Sequence, residues 1–500
     1  MVENRWMTLV AVCVATFMLL IDITVVNVAL PDIRRALDAS FTDLQWVVDA
    51  YALGLASFLL AAGSLADRIG RRYVFAAGVV LFTIASVLCG LASSPGLLNG
   101  ARALQGLGGA AMFATSLALL AGAFRGRERG TAIGIWGASI GAAVAVGPLV
   151  GGALTESLGW EWIFFVNVPI GVAAVFLTVR YVAESRDPGA QGMDWPGVVT
   201  FSGALFALVF ALVRGNAEGW GSPVIVALLV AGFALLAAFV AVERRRSDPM
   251  FDLSLLRRPA FAGVSIAAFA LSASMFSMFL YLTLYVQNQL GHDPLEAGLR
   301  FLPITLVSFA VAPLSGRLSA RVSLGLLMGA GLALVGVGLV LMRAVEPGEE
   351  WTVLLAGFLV AGAGVGLTNP AVASGAVGVV EPARAGMASG INSTFRQVGI
   401  AMGIAGLGAV FQQRIESGTR EAAGATAQVE ASPIRSPELD GEVLSSIPLD
   451  AVPASLRGAV EVGFAGALDD ILLIAAIVAF AGAALSLVLV RGRDAIAPGH

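Results

Sequence analysis

Apolar runs of membrane-crossing length recur along the whole chain, divided by short polar turns. A window of about 19 residues, with about 20 apolar residues needed for one crossing, predicts fourteen spans. They cover 6–29, 44–65, 73–93, 97–121, 130–153, 162–182, 196–213, 223–242, 261–287, 296–315, 323–343, 352–376, 387–410 and 468–490. The arginines crowd onto one alternating set of connections: Arg5; Arg68, Arg71 and Arg72; Arg125, Arg127 and Arg129; Arg180 and Arg186; Arg244 to Arg246, Arg257 and Arg258; Arg317 and Arg321; Arg384; Arg491 and Arg493. The short connections on the other side hold only Arg34, Arg35, Arg214, Arg300 and Arg343. By the positive-inside rule both termini are expected in the cytoplasm, and an even number of spans agrees.

Composition makes the membrane assignment firm. Of 500 residues, 58% are hydrophobic and 13% charged, and the mean hydropathy is +0.86. That is far more apolar surface than a water-soluble fold can cover, so the expected class is an all-α integral membrane protein in the lipid bilayer. The 60 glycines suit helices that approach closely in lipid. The first run is too long, and too interrupted by Asp22, for a cleaved signal peptide. Cys13 and Cys89 lie in apolar spans and His292 and His500 lie far apart, so neither a disulfide framework nor a metal site is expected. No phosphate-binding glycine-lysine loop occurs, and no cluster of catalytic side chains is visible. No cofactor, no nucleic acid and no enzymatic role are expected.

Two segments echo each other. GSLADRIGRR follows the second span from Gly63, and GRLSARVS follows the tenth from Gly316. Matching loops eight spans apart predict two six-helix halves, 1–185 and 261–500, with two helices and a basic linker inserted at 186–260. Such repeats build secondary transporters, whose site lies between the halves near mid-membrane. The stretch 411–467 reads as an outer loop, either a partly ordered hairpin or without regular structure.

Three charges inside the spans carry the candidate chemistry. Asp22, in LLIDITVVNVALP, costs roughly 2.5 to 3.5 kcal/mol in the middle of a lone helix and is expected to face protein or a watery cavity. Arg102, in LNGARALQGLGGA, needs a carboxylate or carbonyl partner for the same reason. Gln105, three residues on, shares its face. At 1.5 Å per residue, Asp22 lies about 24 Å from the inner end of its span, and Asp49 and Arg102 roughly 7 Å below the outer ends of theirs. All three therefore fall at similar depth and could meet if spans 1, 2 and 4 are neighbours. Cavity hydration would then decide whether a carboxylate there holds a proton.

These stretches resemble a known family. GSLADRIGRR is similar to the loop signature of the major facilitator superfamily. Gly63 would let helix ends approach, Gly70 would allow a tight turn, and Asp67, Arg68 and Arg71 would form pairs that break as the halves rock. The segment around Arg102 resembles the motif of proton-coupled members. GASIGAAVAVGPLVGGAL resembles the antiporter motif of drug exporters through Gly147, Pro148, Gly151 and Gly152, where Pro148 would bend the helix and the glycines would press on a helix of the other half. Ala143 stands where a further glycine is common. With WEWIFFVNVPIG and GINSTFRQVGIAMG, the chain resembles the fourteen-span drug:proton antiporters of that superfamily.

The resemblance implies two six-helix halves plus two inserted helices, working as a monomer in the cytoplasmic membrane. It implies proton-coupled export of hydrophobic, often cationic, drugs or antibiotics by alternating access. Asp22, Asp49 and Arg102 would serve proton coupling. The alternatives are the same fold exporting a lipid, siderophore or metabolite, or a proton symporter. The echo lacks the acid of Asp67, so the second gate is expected to pair more weakly. No acid lies well inside spans 9 to 14, which leaves doubly charged cations without a partner there. For substrate lining the sequence offers Gln105, Met275, Phe276, Tyr281, Asn369 and Arg396, with packing an equal alternative for each.

Overall fold

The computed structural model describes residues 4–39, 41–186, 194–246, 249, 251–319, 321–380, 385–425, 444, 449 and 452–490. Fourteen long helices order the described chain. They are α1 (Arg5–Leu37), α2 (Phe41–Ile69), α3 (Arg71–Gly90), α4 (Pro95–Ala123), α5 (Gly126–Leu158), α6 (Trp162–Tyr181), α7 (Trp195–Glu218), α8 (Pro223–Glu243), α9 (Pro259–Gln289), α10 (Leu302–Leu318), α11 (Leu324–Leu341), α12 (Leu355–Gly378), α13 (Ala385–Ala425) and α14 (Arg457–Leu489). Twelve of them are individually long and apolar enough to cross a membrane. The two outside that set are α10, apolar but only 17 residues long, and α5, several of whose side chains lie outside the described residues.

Local chemistry fixes the starts. The Asn4 side chain accepts from the amides of Trp6 and Met7, Ser94 caps α4 and Ser323 caps α11, each satisfying an otherwise unpaired donor of the first turn. Proline stands in the first turn of α4, α7, α8 and α9, where its missing N–H costs nothing.

In the amino-terminal half α1 packs on α5, and α4 on both α2 and α3; in the carboxy-terminal half α9 packs on α13 and α14, and α12 on α10 and α11. Two seams join the halves, α5 against α10 and α2 against α13. The inserted helices pack on each other, and α7 also lies against α2 and α13. An apolar cluster there joins Leu60 of α2, Phe201 of α7, Phe239 of α8, Phe251 of the linker and Ile391 of α13. The insertion thus flanks one seam rather than extending either half.

The arginine-bearing connections gather at one end of the bundle. Arg5 pairs with Glu128, the Arg71 amide donates to the Ser185 carbonyl at 2.9 Å, and Arg258 reaches the Val379 carbonyl at 3.4 Å. At the opposite end, helix extends where the sequence predicts an outer loop. α13 continues from the expected limit of 410 to Ala425, and α14 begins at Arg457 rather than 468. The extra turns of α13 are too polar for a hydropathy window but keep a buried stripe of Phe411, Ile415, Thr419 and Ala423 at four-residue spacing. It packs on Val460 and Phe464 of α14. Gly418 faces Gly463 there, and a β-carbon on Gly418 would lie 3.1 Å from the facing Cα. The Arg414 pair with Asp470 at 2.9 Å and the Arg343 pair with Asp469 at 2.7 Å tie the same region.

Candidate functional site: a buried charge network and a gate

Asp22 and Arg102 meet inside the amino-terminal half, each about 1% exposed. Arg102 Nη1 lies 2.5 Å from Asp22 Oδ2 and donates to Gln105 Oε1 at 2.7 Å, while its Nε donates to the Val47 carbonyl at 3.0 Å. Asp22 Oδ1 accepts from Gln105 Nε2 at 3.2 Å and from Asn167 Nδ2 at 2.9 Å. Gln105 Nε2 also donates to Ser86 Oγ at 2.7 Å, and Ser86 in turn donates to the Phe82 carbonyl. The guanidinium sits 4.4 Å from the centre of the Tyr51 ring. Five helices, α1, α2, α3, α4 and α6, thus converge on one carboxylate.

Every group that faces Asp22 here donates to it. A proton on Asp22 would remove the charge that holds the guanidinium. Removing either charge leaves the other buried without its ion-pair partner, which is costly in a low-dielectric interior. Asn167 and Ser86 belong to this site although composition and spacing did not single them out. The only sequence signal was a lone carboxamide in the apolar run 162–182, within WEWIFFVNVPIG.

Asp49 does not join the network. Its depth is right, but the helix turns it away: Val47 and Tyr51, four residues apart, present one face of α2 to Arg102, and Asp49 lies between them on the other. It is half-buried and faces the charge of Arg214 on α7. Gln105, expected to line a substrate cavity, is instead fully buried within the Asp22 network.

The loop between α2 and α3 contains the tight turn at Gly70 and the Asp67–Arg71 pair. Gly70 turns between α2 and α3 at φ +124°, a conformation that favours glycine. A β-carbon there would also meet the Glu184 carboxylate at 2.7 Å. Glu184 accepts from the amides of Arg72 and Tyr73, at 3.1 and 3.3 Å, and so closes the start of α3. Gly63 is buried in the last turns of α2, and Arg68 reaches back to Ser64. Asp67 Oδ1 takes the Arg71 guanidinium at 2.7 Å. Its Oδ2 accepts the Met387 amide of α13 at 2.7 Å, a bond from one half to the other. Met387 Sδ also receives the Asp252 amide at 3.5 Å, which attaches the linker to this joint. In the echo, Gly316 lies against the other half, and Ala320 falls outside the described residues.

The glycine-rich α5 contains a correction. Gly147 and Gly151 pack on α1 of their own half, not on the other half. A β-carbon on Gly147 would fall 1.7 Å from Thr24 Oγ1, and one on Gly151 3.1 Å from the Val25 carbonyl; Gly152 has open space. Pro148 lies in the helix with its side chain outside the described residues. The cross-half contact uses earlier glycines of α5. A β-carbon on Gly130 would lie 2.3 Å from the Gly316 carbonyl oxygen of α10, and one on Gly134 2.9 Å from the Ala312 carbonyl. Small residues announce a close approach but not the partner. Gly147→Ala is expected to destabilise the protein by about 1–3 kcal/mol, the usual cost of overpacking. Thr24→Ala should restore much of the loss, as read from thermal unfolding of the single and double variants.

Of the remaining lining candidates, Met275 and Tyr281 are buried in the carboxy-terminal core, and the Tyr281 hydroxyl donates to the Ile404 carbonyl at 2.6 Å. Phe276, Asn369 and Arg396 come together. Arg396 Nη1 donates to Asn369 Oδ1 at 3.0 Å, and its guanidinium lies 5.7 Å from the Phe276 ring centre.

Comparison with known proteins decides the family. The family described as Major Facilitator Superfamily matches residues 12–404. The chain belongs to the major facilitator superfamily. The transporter is 39% identical over 409 residues to the multidrug resistance protein Stp of Mycobacterium tuberculosis, covering 82% of this chain and 76% of that one. It is 37% identical over 414 residues to the puromycin resistance protein pur8 of Streptomyces alboniger, covering 81% and 82%. Among solved structures it matches the human organic anion transporter MFSD10 (TETRAN) with a TM-score of 0.61 at 15% identity, over 95% of this chain and 100% of that one. At that identity the likeness speaks for the fold alone. The transporter is therefore a multi-pass carrier with multidrug- and antibiotic-resistance relatives, and not an enzyme.

Proposed function

We propose that the transporter exports hydrophobic drugs or antibiotics, cationic ones among them, across the cytoplasmic membrane in exchange for protons. In this reading fourteen helices span the bilayer, the arginine-rich end and both termini face the cytoplasm, and a single chain suffices. The observation that carries it is the buried Asp22–Arg102 pair, with Gln105 and Asn167 on the same carboxylate. A proton from outside takes the place of Arg102 on Asp22, the freed guanidinium shifts toward the Val47 carbonyl and Tyr51, and α1 and α4 move relative to each other.

The gate supports the second half of the cycle. The arginine-rich ends of α2 and α13 are held by Asp67 and the Met387 amide, and α5 meets α10 there through Gly130 and Gly316. In this reading that end of the carrier is held closed to the cytoplasm. Release of the Asp67 bond would let the halves rock and open the site to the cytoplasm. Asp49, half-buried on the opposite face of α2, serves as the second acid, for a cationic substrate or a proton.

Cells expressing the transporter should extrude ethidium and a panel of hydrophobic antibiotics, and a protonophore should abolish that extrusion. Extrusion that persists after the proton gradient collapses would remove the antiport reading. Asp67→Asn leaves one acceptor oxygen where the carboxylate offers two, so it loses the bond from Arg71 or that from the Met387 amide and weakens the other. It is expected to lower efflux by about tenfold, since a charge-assisted hydrogen bond contributes about 1.5–3 kcal/mol. Expression and monodispersity should match the wild type.

A further inference from the structure

The two arginines inside the spans have opposite surroundings. Arg102 is sealed and paired with a carboxylate. Arg396, near the middle of the membrane-crossing part of α13, has a neutral carboxamide as its hydrogen-bonding partner and no carboxylate among the described residues. Its Nε and Nη2 have no hydrogen-bond partner among the described residues. Yet it is half-buried rather than sealed, and its free donors do not appear among the buried groups that lack a partner. The guanidinium therefore borders open space.

That space is interior. The face of α13 that carries Gly390 lies on α2 of the other half, and Gly399 and Gly403 press on Phe269, Ala273 and Ser277 of α9. Asn369 comes from α12, and the residue after it, Pro370, lies 3.9 Å from the position of a β-carbon on Gly137 of α5. Arg396 thus looks out among α9, α12 and helices of the opposite half. On α9 the neighbouring turn, Ser272–Phe276, is a π-helical segment, a rare geometry that often marks functional positions. Phe276 and Phe279 are half-buried there, with ring centres 6.3 Å apart.

We propose that Arg396, Asn369 and Phe276 form a substrate subsite for an acidic oxygen, a carboxylate or ionised phenol, carried by an aromatic amphiphile. The fork of Arg396 offers two free donors to such a group, the interaction to which guanidinium is best suited. Asn369 fixes the remaining nitrogen, and the two phenyl rings receive the aromatic body. This deepens the export reading, since it adds acids and zwitterions to the cargo.

Binding to purified protein tests the subsite without needing transport, so its outcome is separate from that of the export reading. The probes are 1-pyrenebutyrate and its methyl ester, which differ by one charge, and the readout is pyrene fluorescence. Wild type should bind the carboxylate at least tenfold more tightly than the ester. Arg396→Gln should erase that ratio, chiefly by weakening carboxylate binding, while Arg396→Lys should keep part of the preference and guards against misfolding of the first variant. No preference in the wild type, or the same preference in both variants and wild type, would overturn the proposal.

Discussion

Replacing Arg102 with alanine should eliminate drug efflux and lower stability by about 3–5 kcal/mol, the range for removing one partner of a buried pair. The loss is large because one side chain performs several tasks. It neutralises Asp22 at 2.5 Å, donates to the Val47 carbonyl and Gln105, and stacks over Tyr51. Alanine leaves Asp22 with two carboxamide donors and no counter-charge. The double replacement Asp22→Asn with Arg102→Gln removes both charges and keeps polar groups in place. It should regain a good part of the stability, because a neutral network escapes the penalty of an orphaned ion, but no gradient-driven transport. Thermal unfolding and efflux of the single and double variants separate the two effects. Equal stability in Arg102→Ala and wild type would mean that the pair contributes little.

Gly130→Leu should abolish transport while the protein still folds. A β-carbon at this position already falls 2.3 Å from the Gly316 carbonyl oxygen, which is backbone and cannot rotate aside. The contact joins the two halves, so separating them at the arginine-rich end relieves the clash without unfolding either half. Spin labels at exposed Tyr73 on α3 and Leu326 on α11 report that separation. The variant's distance distribution should move to longer values than the wild type's. An unchanged distribution with retained efflux would contradict the assigned seam.

How much of this was legible in sequence differs by element. Helical rise placed Asp22 and Arg102 at a common depth, because depth along a helix is fixed by residue count, and the family resemblance supplied the neighbouring of their spans. The exclusion of Asp49 needed the azimuth as well, and an apolar helix buried on most sides gives little sense of which face is which. The gate sequence GSLADRIGRR encodes its own turn through Gly70 and its own pair through Asp67 and Arg71. Its bond to Met387 is a contact across 320 residues that no local pattern announces. In α5 the glycines foretold close packing, yet Gly147 met Thr24 in its own half. The extension of α13 escaped a hydropathy window because its stripe of buried residues is one face of an otherwise polar helix.

The central claim is that Asp22 couples proton movement to substrate movement. Its most direct test is the proton flux that follows ethidium addition to proteoliposomes holding wild type or Asp22→Asn, read with a trapped pH dye, alongside counterflow of labelled ethidium. Wild type should show both. Asp22→Asn should show counterflow without proton flux, because the amide cannot exchange a proton while its one oxygen can still accept from Arg102. Undiminished ethidium-driven proton flux in Asp22→Asn would contradict the account.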